Sequence, residues 1–579
     1  MKIPKNNPIK PLFTLVKRVF QRFGPHEKYI VGLFAFVVLV SLIALGLQFY
    51  INQTEIVPTY GGEYREAVIG LPRFINPALS ITSDVDRDLS SLVYSSLVKY
   101  DKNGEIQPDL AESYEVLQDG KQYKFTLREN LSWEDDTPLT AEDVVFTIEL
   151  IQDPQYSSPL FQAWQGVDVS VENERTIVFS LPSAYPPFLE NATLGILPKH
   201  IWQDVTTKNF ALTDLNIQPV GSGPYKVEKF TKNNDGFISS YTLEKNDNYH
   251  GKEPYINKLT FRFYDSERNA IRAYNAKNVD GVAFVSFTNI SDLKNESALN
   301  LHTFNMPRYF AIFINQDNNE LLEDKTVRQS IAHATNKQEI INEVLSGYGR
   351  VADTPIPPTL EEYHNQDVEN IPHNPEQARL LLEQAGWAHL DDDGILERQI
   401  EGAEEGTHEE LSFTLITANT PELTHVADLL AKQWKTVGIQ LNVVAQELGE
   451  LQQDTIKSRS YELLMFGQIL GSIPDPFSFW HSTQVNDPGL NLANYSNEDV
   501  DDLLETGRQE INKEERITAY NEFQKLVAND IPAIFLYDPL YLYPVNDRIK
   551  GIDSAFIVDT SHRFVDVENW YIETNRVFK

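Results

Sequence analysis

The chain has 579 residues, of which 41% are hydrophobic, 23% charged and 11% aromatic, and its formal net charge is −35. The length is several times that of a usual domain, and the composition is that of a folded globular protein, which argues against disorder. Such an acidic body repels phosphates, so nucleic acid is not expected as a partner. The absence of cysteine excludes disulfides, thiolate metal sites and a lipid-bearing cysteine.

An apolar segment near the N-terminus predicts a membrane span over residues 29–51. Residues 29–54 carry no charged side chain, and residues 30–47 are almost wholly apolar, long enough as a helix to cross a hydrocarbon core of roughly 30 Å. Residues 1–28 carry seven Lys and Arg against one acidic residue. The positive-inside rule therefore predicts a cytoplasmic basic arm over residues 1–28, with the body outside the cytoplasm, periplasmic or at the cell surface.

A cleaved secretory signal is the alternative interpretation of the same segment. Its residues 44–46, Ala-Leu-Gly, are roughly of the type found at cleavage sites. The apolar stretch and the basic arm are both longer than in a usual signal, which favours an uncleaved signal-anchor. The helix would then tether a cell-membrane protein that spans the bilayer once.

Strand patterns open the globular body, which begins near Tyr60. Residues 63–69 predict the first strand. Residues 113–128 alternate apolar and polar side chains around Asp119 and Gly120, a dipeptide that tolerates positive φ in a tight turn. This second pattern predicts a β-hairpin.

Two helices carry clear start and stop signals. Asn374 followed by a proline predicts a capped helix that ends at Gly386. Residues 421–437 have helical apolar spacing, stop at Gly438 and precede a predicted strand over 439–444. A helix that ends at a glycine and is followed by a strand is typical of an α/β protein.

The rest of the C-terminal half predicts more helices and one surface insertion. Residues 327–345 predict a helical region, and residues 497–529 supply two helices before a strand over 531–537. The acidic run at 391–393 and the Glu-rich stretch at 397–410 predict a solvated insertion without chemistry.

Motifs for catalysis or metal binding are absent from the sequence. The glycines of residues 221–223 are not followed by the Lys-Ser/Thr of a phosphate loop, and Pro224 lacks an amide donor. His408 lacks the second histidine of a zinc-binding helix, and no GxSxG elbow occurs. The sequence therefore predicts no catalytic residue, no metal ligand and no cofactor.

A series of short motifs carries the functional information. They are NPAL at 76–79, YSSLV at 94–98, PDLAES at 108–113, WEDDTPLTAEDV at 133–144, GSGPY at 221–225, VRQSI at 327–331, the capped helix at 374–386, PDPFSFW at 474–480 and ANDIP at 528–532. In this order the chain resembles bacterial extracellular solute-binding proteins of family 5, which include the oligopeptide-binding proteins of ABC importers. The resemblance covers nearly everything after Tyr60.

The resemblance implies an α/β, two-lobed periplasmic-binding-protein-like fold with an extra domain, three structural domains in all, preceded by one transmembrane helix. Lobe I would be assembled from residues 60–86, 215–314 and 535–579. Domain II would comprise residues 87–214, and lobe III residues 315–534. A hinge would close the lobes on the solute, driven by its higher affinity for the closed state.

The resemblance also suggests where a solute would be held. In peptide-binding members an aspartate a few residues before the Asp/Glu-Pro of the cleft segment fixes the free amine, and that place falls on Ser472, whose hydroxyl carries no charge. Asp475 either takes over the amine or forms a turn between its prolines. Trp480 either walls the pocket or packs in the core.

Four further residues are candidates with a structural alternative. Arg308 and Tyr309, near the domain crossing, either meet a solute carboxylate or stabilise the hinge. Asn76 and Tyr94 lie in matched motifs near the predicted cleft, or are a loop cap and a core tyrosine.

The predicted function is the substrate-binding component of an ABC importer, which captures an extracytoplasmic solute and delivers it to permease subunits. A peptide is the default solute, and the family also includes binders of oligosaccharides and nickel complexes. A membrane-tethered sensor on the same fold is the alternative. An extracellular hydrolase is a third hypothesis, which fold analogy alone does not exclude.

Overall fold

The structure, a computed structural model, describes residues 24–294, 298–389, 392–400 and 407–579. Most of the predicted basic arm and part of the predicted acidic insertion lie outside these ranges. The chain forms two units, one made of the described residues up to Tyr60 together with Glu573–Lys579, and the other of Gly61–Ile572.

The first unit contains the apolar segment as one continuous helix, Pro25–Gln53, with no buried side chain. Among the described residues it is the one helix long and apolar enough to span a bilayer. The helix leads directly into the strand Thr54–Thr59, which pairs antiparallel with Glu573–Phe578. The predicted span of residues 29–51 lies within this helix.

The second unit contains, in its described part, a mixed sheet of seven strands, here called sheet A. The predicted first strand, Glu63–Ile69, lies in its middle and pairs in parallel with Lys258–Tyr264. Across the sheet the strands are Leu299–Phe304, Tyr541–Asn546, Gly281–Val282, Glu63–Ile69, Lys258–Tyr264, Ile238–Lys245 and Tyr225–Lys232.

Two further sheets complete the main framework of the described second unit. Sheet B has six strands, in the order Gly349–Val351, Ala533–Pro539, Arg308–Ile314, Leu463–Ile469, Ser412–Ala418 and Gln440–Gln446. Sheet C has four antiparallel strands, in the order Ala111–Leu117, Gln122–Leu127, Thr176–Ser180 and Asp168–Asn173. Short pairs join Val98–Tyr100 to Ile106–Pro108 and Glu397–Gln399 to His408–Glu410.

The helices of the second unit cover these sheets. Those described are Asp84–Val93, Ala141–Gln152, Phe161–Trp164, Phe188–Asn191, Lys199–Trp202, Thr207–Phe210, Glu267–Asn275, Lys325–Ala334, Lys337–Glu343, Pro375–Gln384, Pro421–Lys435, Leu448–Glu450, Phe477–Trp480, Glu498–Gln509 and Lys513–Asp530.

The local sequence signals explain several boundaries. Asn374 caps its helix by accepting a hydrogen bond of 3.1 Å from the Gln377 amide, as its position predicts. Thr140 and Asp143 form a capping box, in which the Thr140 amide donates to Asp143 at 2.8 Å. The predicted hairpin is confirmed, since Ala111–Leu117 and Gln122–Leu127 pair across a turn with positive φ at Asp119 and Gly120.

Glycines 221 and 223 have a packing role. A Cβ at either position would overlap the main chain of Val93, and the Gly223 amide donates to the Val93 carbonyl at 2.7 Å. The GSGPY motif therefore forms a close contact between the loop that precedes the strand Tyr225–Lys232 and the end of the helix Asp84–Val93.

The hydrophobic cores follow the sheets. One large cluster contains the buried side chains of sheet B, and a second contains those of sheet C with most of sheet A. Arg308–Ile314 and Ala533–Pro539 belong to sheet B, although the predicted boundaries at 314 and 534 place the first wholly and the second largely in lobe I. Strand pairing therefore indicates that the chain passes from sheet A to sheet B between Phe304 and Arg308 and returns to sheet A between Pro539 and Tyr541. The division into lobes stays a prediction.

Candidate functional site

A cavity of about 400 Å³ lies in the second unit. It is lined by residues of the segments 77–109, 160–195 and 558–568, with Pro224 and Tyr249. Ser90, Ser95 and Ser96 contribute polar groups, and Leu160, Trp164 and Leu194 contribute apolar ones. The lining also includes charged side chains of both signs, among them Lys99, Asp109 and Glu190. Clefts that combine apolar walls with polar groups are typical of small-molecule sites.

Glu190 connects this cavity to the segment that the sequence singled out. It lies in the short helix Phe188–Asn191 and lines the cavity. Its Oε1 accepts a hydrogen bond of 2.9 Å from the Ser472 hydroxyl and one of 2.7 Å from the Ile473 amide. Gly471 makes this approach possible, because a Cβ there would overlap the Glu190 carboxylate.

The Glu190 carboxyl is electrostatically perturbed. Burial raises its pKa to about 7, against the lowering effect of the donors at Ile473 and Ser472. The group therefore changes charge near neutral pH. A buried carboxyl of this kind, in a cavity, is a candidate for solute recognition.

Asp475, which lies three residues after Ser472, is a second, partly buried carboxylate, and two side chains contact it. Asp475 Oδ2 accepts a hydrogen bond of 3.0 Å from the Tyr185 hydroxyl and lies 3.2 Å from Nε of Arg508. Burial raises the pKa of Asp475, and Arg508 and Tyr185 partly offset this. Asp475 also accepts from the Phe477 amide at 3.3 Å, so both its predicted turn role and a charged contact are present.

Arg308 lies near the same segment of chain. It begins the strand Arg308–Ile314 directly opposite Ile469, and the Pro307 carbonyl accepts from the Leu470 amide at 2.8 Å. Its guanidinium lies over the Phe310 ring, and its Nε is buried without a hydrogen-bond partner in the described part of the chain. Arg308 lowers the pKa of Glu422, which burial raises.

Tyr309 and Trp480 lie in the core of sheet B. Tyr309 is fully buried, its hydroxyl donates to Gln468, and it accepts a hydrogen bond of 3.3 Å from Nε1 of Trp480. Trp480 packs against Phe313 and Phe535. Successive side chains of a strand point to opposite faces of the sheet, so Tyr309 points into the core and its neighbour Arg308 points away from it.

Asn76 and Tyr94 are both buried. Asn76 Oδ1 accepts from the Ala78 amide at 3.0 Å and its Nδ2 donates to Asn216 at 3.1 Å, which is a loop-capping arrangement. Tyr94 lines the cavity, and burial followed by the charge of Glu134 raises the pKa of its hydroxyl. Of the seven predicted residues, Arg308, Ser472 and Asp475 gather around one segment and Tyr94 lines the cavity. Whether any of them binds a solute stays a prediction.

Metal coordination finds no geometric support in the described ranges. No group of three or more His, Asp or Glu side chains there is placed to hold a metal ion.

Sequence reasoning missed Glu190, Tyr185 and Arg508. None lies in a motif, and each meets the 472–475 segment only through the fold. Glu190 is 282 residues from Ser472 in sequence. The sequence offered one indirect indication. Because Ser472 is uncharged where the resemblance implies an aspartate, a negative charge at this position would have to come from another part of the chain.

The mixed α/β fold, with a cavity lined by polar and apolar side chains, is that of the class of periplasmic binding proteins. Within it, the profile described as "Bacterial extracellular solute-binding proteins, family 5 Middle" matches residues 105–489. The chain belongs to this family.

Characterised relatives resemble the chain over most of its length. The oligopeptide-binding protein AppA of Bacillus subtilis is 27% identical over 530 residues, 89% of this chain and 92% of that protein. The dipeptide-binding protein of Escherichia coli is 27% identical over 529 residues, covering 86% and 93%.

Solved structures agree. AppA of Bacillus subtilis in complex with a nonapeptide has a TM-score of 0.70 at 26% identity, covering 89% of this chain and all of that one. NikZ from Campylobacter jejuni in complex with Ni(L-His) has a TM-score of 0.71 at 26% identity, covering 88% and 99%.

Proposed function

We propose that this protein is the substrate-binding component of an ABC importer and captures peptides with a free amino group outside the cytoplasm. The family and the names of its peptide-binding relatives support the role. The helix Pro25–Gln53 supports retention in the membrane as a signal-anchor, with the importer's permease subunits as partners.

The observation that carries the peptide proposal is the Glu190 carboxylate at the edge of the cavity. Its Oε1 accepts the hydrogen bonds from Ser472 and Ile473, and we assign the contact with a solute ammonium to the other oxygen, Oε2, which packs against Gly471. Glu190 would supply, from another part of the chain, the charge that Ser472 lacks. We assign the contact with a solute carboxylate to Arg308, whose Nε has no hydrogen-bond partner within the described residues. Arg308 lies opposite Ile469 and not among the residues that line the cavity.

Glu190→Gln tests this proposal, because the amide keeps the shape and removes the charge. Charge-assisted hydrogen bonds contribute about 1.5–3 kcal/mol, so we expect affinity for free-amine peptides to fall about 10- to 100-fold. Isothermal titration calorimetry of the full chain with a pool of short peptides measures it. The exposed Glu149→Gln is the matched control and should leave affinity unchanged.

The dependence of peptide affinity on pH is a second test of the same contact. Because the carboxyl is protonated below its pKa of about 7, an ammonium must displace that proton. Affinity should therefore rise about tenfold per pH unit up to neutrality and fall again above about pH 8, where the solute amine loses its proton, and Glu190→Gln should flatten the rise. A profile that is flat in the unmodified protein, or equal affinity for N-acetylated peptides, contradicts the proposed amine contact.

A further inference from the structure

The strand that follows the apolar helix pairs with the last strand of the chain, outside the larger sheets. Thr54–Thr59 forms a two-stranded antiparallel ribbon with Glu573–Phe578, and no third strand joins them among the described residues. All six side chains of Glu573–Phe578 are exposed. Because isolated two-stranded ribbons are only marginally stable in water, a further environment is expected to stabilise this one.

The ribbon is fastened to the end of the helix by several contacts. The Thr54 hydroxyl donates to the Tyr50 carbonyl at 2.6 Å and accepts from Nη1 of Arg576 at 3.0 Å. The Lys579 amide donates to the Gln53 carbonyl at 3.0 Å. The Phe578 ring lies edge-on to Tyr50, with centroids 6.0 Å apart. Residues 573–579 therefore end beside the last turn of the helix.

The exposed side chains change character along the ribbon. Near the helix are Phe578, which is 72% exposed, and Val577, which is 40% exposed, with the exposed Arg576 and Lys579 on either side of them in sequence. Phe49 of the helix is 66% exposed. At the other end the strand begins with Glu573 and Thr574. Aromatic side chains at the end of an apolar helix are typical of the boundary between headgroups and acyl chains, where an amphipathic ring is favoured.

We propose that the ribbon is part of the membrane contact, with Phe578 inserted beside Tyr50 into the outer boundary of the lipid bilayer. The occupant of this surface is lipid, because Phe578 contacts Tyr50 near the end of a helix that is apolar and long enough to cross the bilayer. Both ends of the second unit, Gly61 and Ile572, are then connected along the chain to segments that contact the membrane. This inference rests on the proposed membrane retention and is independent of the solute.

The chain has no cysteine, so single cysteines can be labelled without background. The full chain is reconstituted in lipid nanodiscs with a spin label at Phe578→Cys or, as the control, at Thr574→Cys. Thr574 is exposed on the same face of the same strand, about 13 Å from Phe578 at roughly 3.3 Å per residue. The accessibility of each label to oxygen and to a water-soluble nickel chelate is measured by electron paramagnetic resonance.

We expect a several-fold higher ratio of oxygen to chelate accessibility at 578 than at 574. A label at 578 as open to the chelate as that at 574 overturns the proposal. Protection of 578 only when permease subunits are reconstituted in the same disc also overturns it, because the occupant is then protein and not lipid.

A disulfide tests the ribbon itself. Glu55 and Val577 are directly opposite each other, so Glu55→Cys with Val577→Cys should cross-link under mild oxidation, whereas Glu55→Cys with Glu573→Cys should not. Failure of the first pair contradicts the ribbon. Solute binding is measured on the same preparations, so a protein that binds peptide but exposes the 578 label contradicts this inference alone.

Discussion

At the scale of single residues, the proposed solute contact depends on the Glu190 carboxylate, which the fold brings to the uncharged Ser472. Glu190 lines the cavity and receives two hydrogen bonds, from the Ser472 hydroxyl and the Ile473 amide. Burying a carboxyl is costly unless it is paired, which is why its pKa is raised to about 7. A solute ammonium would relieve that cost. Burial of this carboxyl therefore explains its raised pKa, and under the proposed function it would also favour a cationic group of the solute.

Gly471→Ala should disturb this arrangement without touching any charge. The new Cβ would overlap the Glu190 carboxylate and push it from Ser472, so we expect at least a tenfold loss of peptide affinity, on the order of 1–3 kcal/mol. Calorimetric titration of the full chain measures the loss.

Gly449→Ala is the control for that change. Gly449 has no atom within 4 Å of the position of an added Cβ. Equal affinities of the two alanine variants would contradict the role given to the contact between Gly471 and Glu190.

At the scale of elements, sheet A is tied to a neighbouring helix by a buried ionic cluster. Arg563, fully buried, contacts Glu66 of the first strand at 2.6 Å and Asp88 of the helix Asp84–Val93 at 2.7 Å. Tyr64 and Tyr543 donate to the same Glu66 carboxylate at 2.9 and 2.8 Å. Each charge thus has a partner, which burial requires.

Arg563→Met should therefore be strongly destabilising, because it leaves two buried carboxylates without their cation. We expect a loss of about 3–5 kcal/mol in the free energy of unfolding, measured by urea denaturation of the full chain in detergent at neutral pH.

The control for this loss is Arg175→Met. Arg175 pairs with the exposed Glu112 and Glu129 and should cost under about 1 kcal/mol. Similar losses for both substitutions would show that the cluster has no special role in joining the elements.

Elements with local signals were predictable from the sequence. Gly438, with φ of 86°, ends the helix Pro421–Lys435 as expected, and the strand Gln440–Gln446 follows. Residues 327–345 were predicted as one helical region, but the structure has Lys325–Ala334 and Lys337–Glu343, separated where Asn336 caps the second helix. Caps and turns are local, so they can be inferred from neighbours in sequence.

At the scale of the whole molecule, the sequence predicted the family and the fold class but only half of the candidate site. Motif order was sufficient for the family, to which the chain belongs. Ser472 and Asp475 could be proposed because they lie in a motif, whereas their partners Glu190 and Tyr185 are brought to them by the arrangement of the sheets. Tertiary proximity between residues nearly 300 positions apart leaves no local pattern to detect.

Thermal unfolding of the full chain with different solutes tests whether the protein captures peptides through a free amine. A ligand that binds only the folded state stabilises it by about 2.7 kcal/mol at a hundredfold excess over its Kd. Pools of short free-amine peptides, the same peptides N-acetylated, oligosaccharides and nickel chelates are compared at equal concentration. We expect the free-amine peptides to raise the melting temperature most. A rise with oligosaccharides or nickel chelates alone, or an equal rise with acetylated peptides, would contradict it.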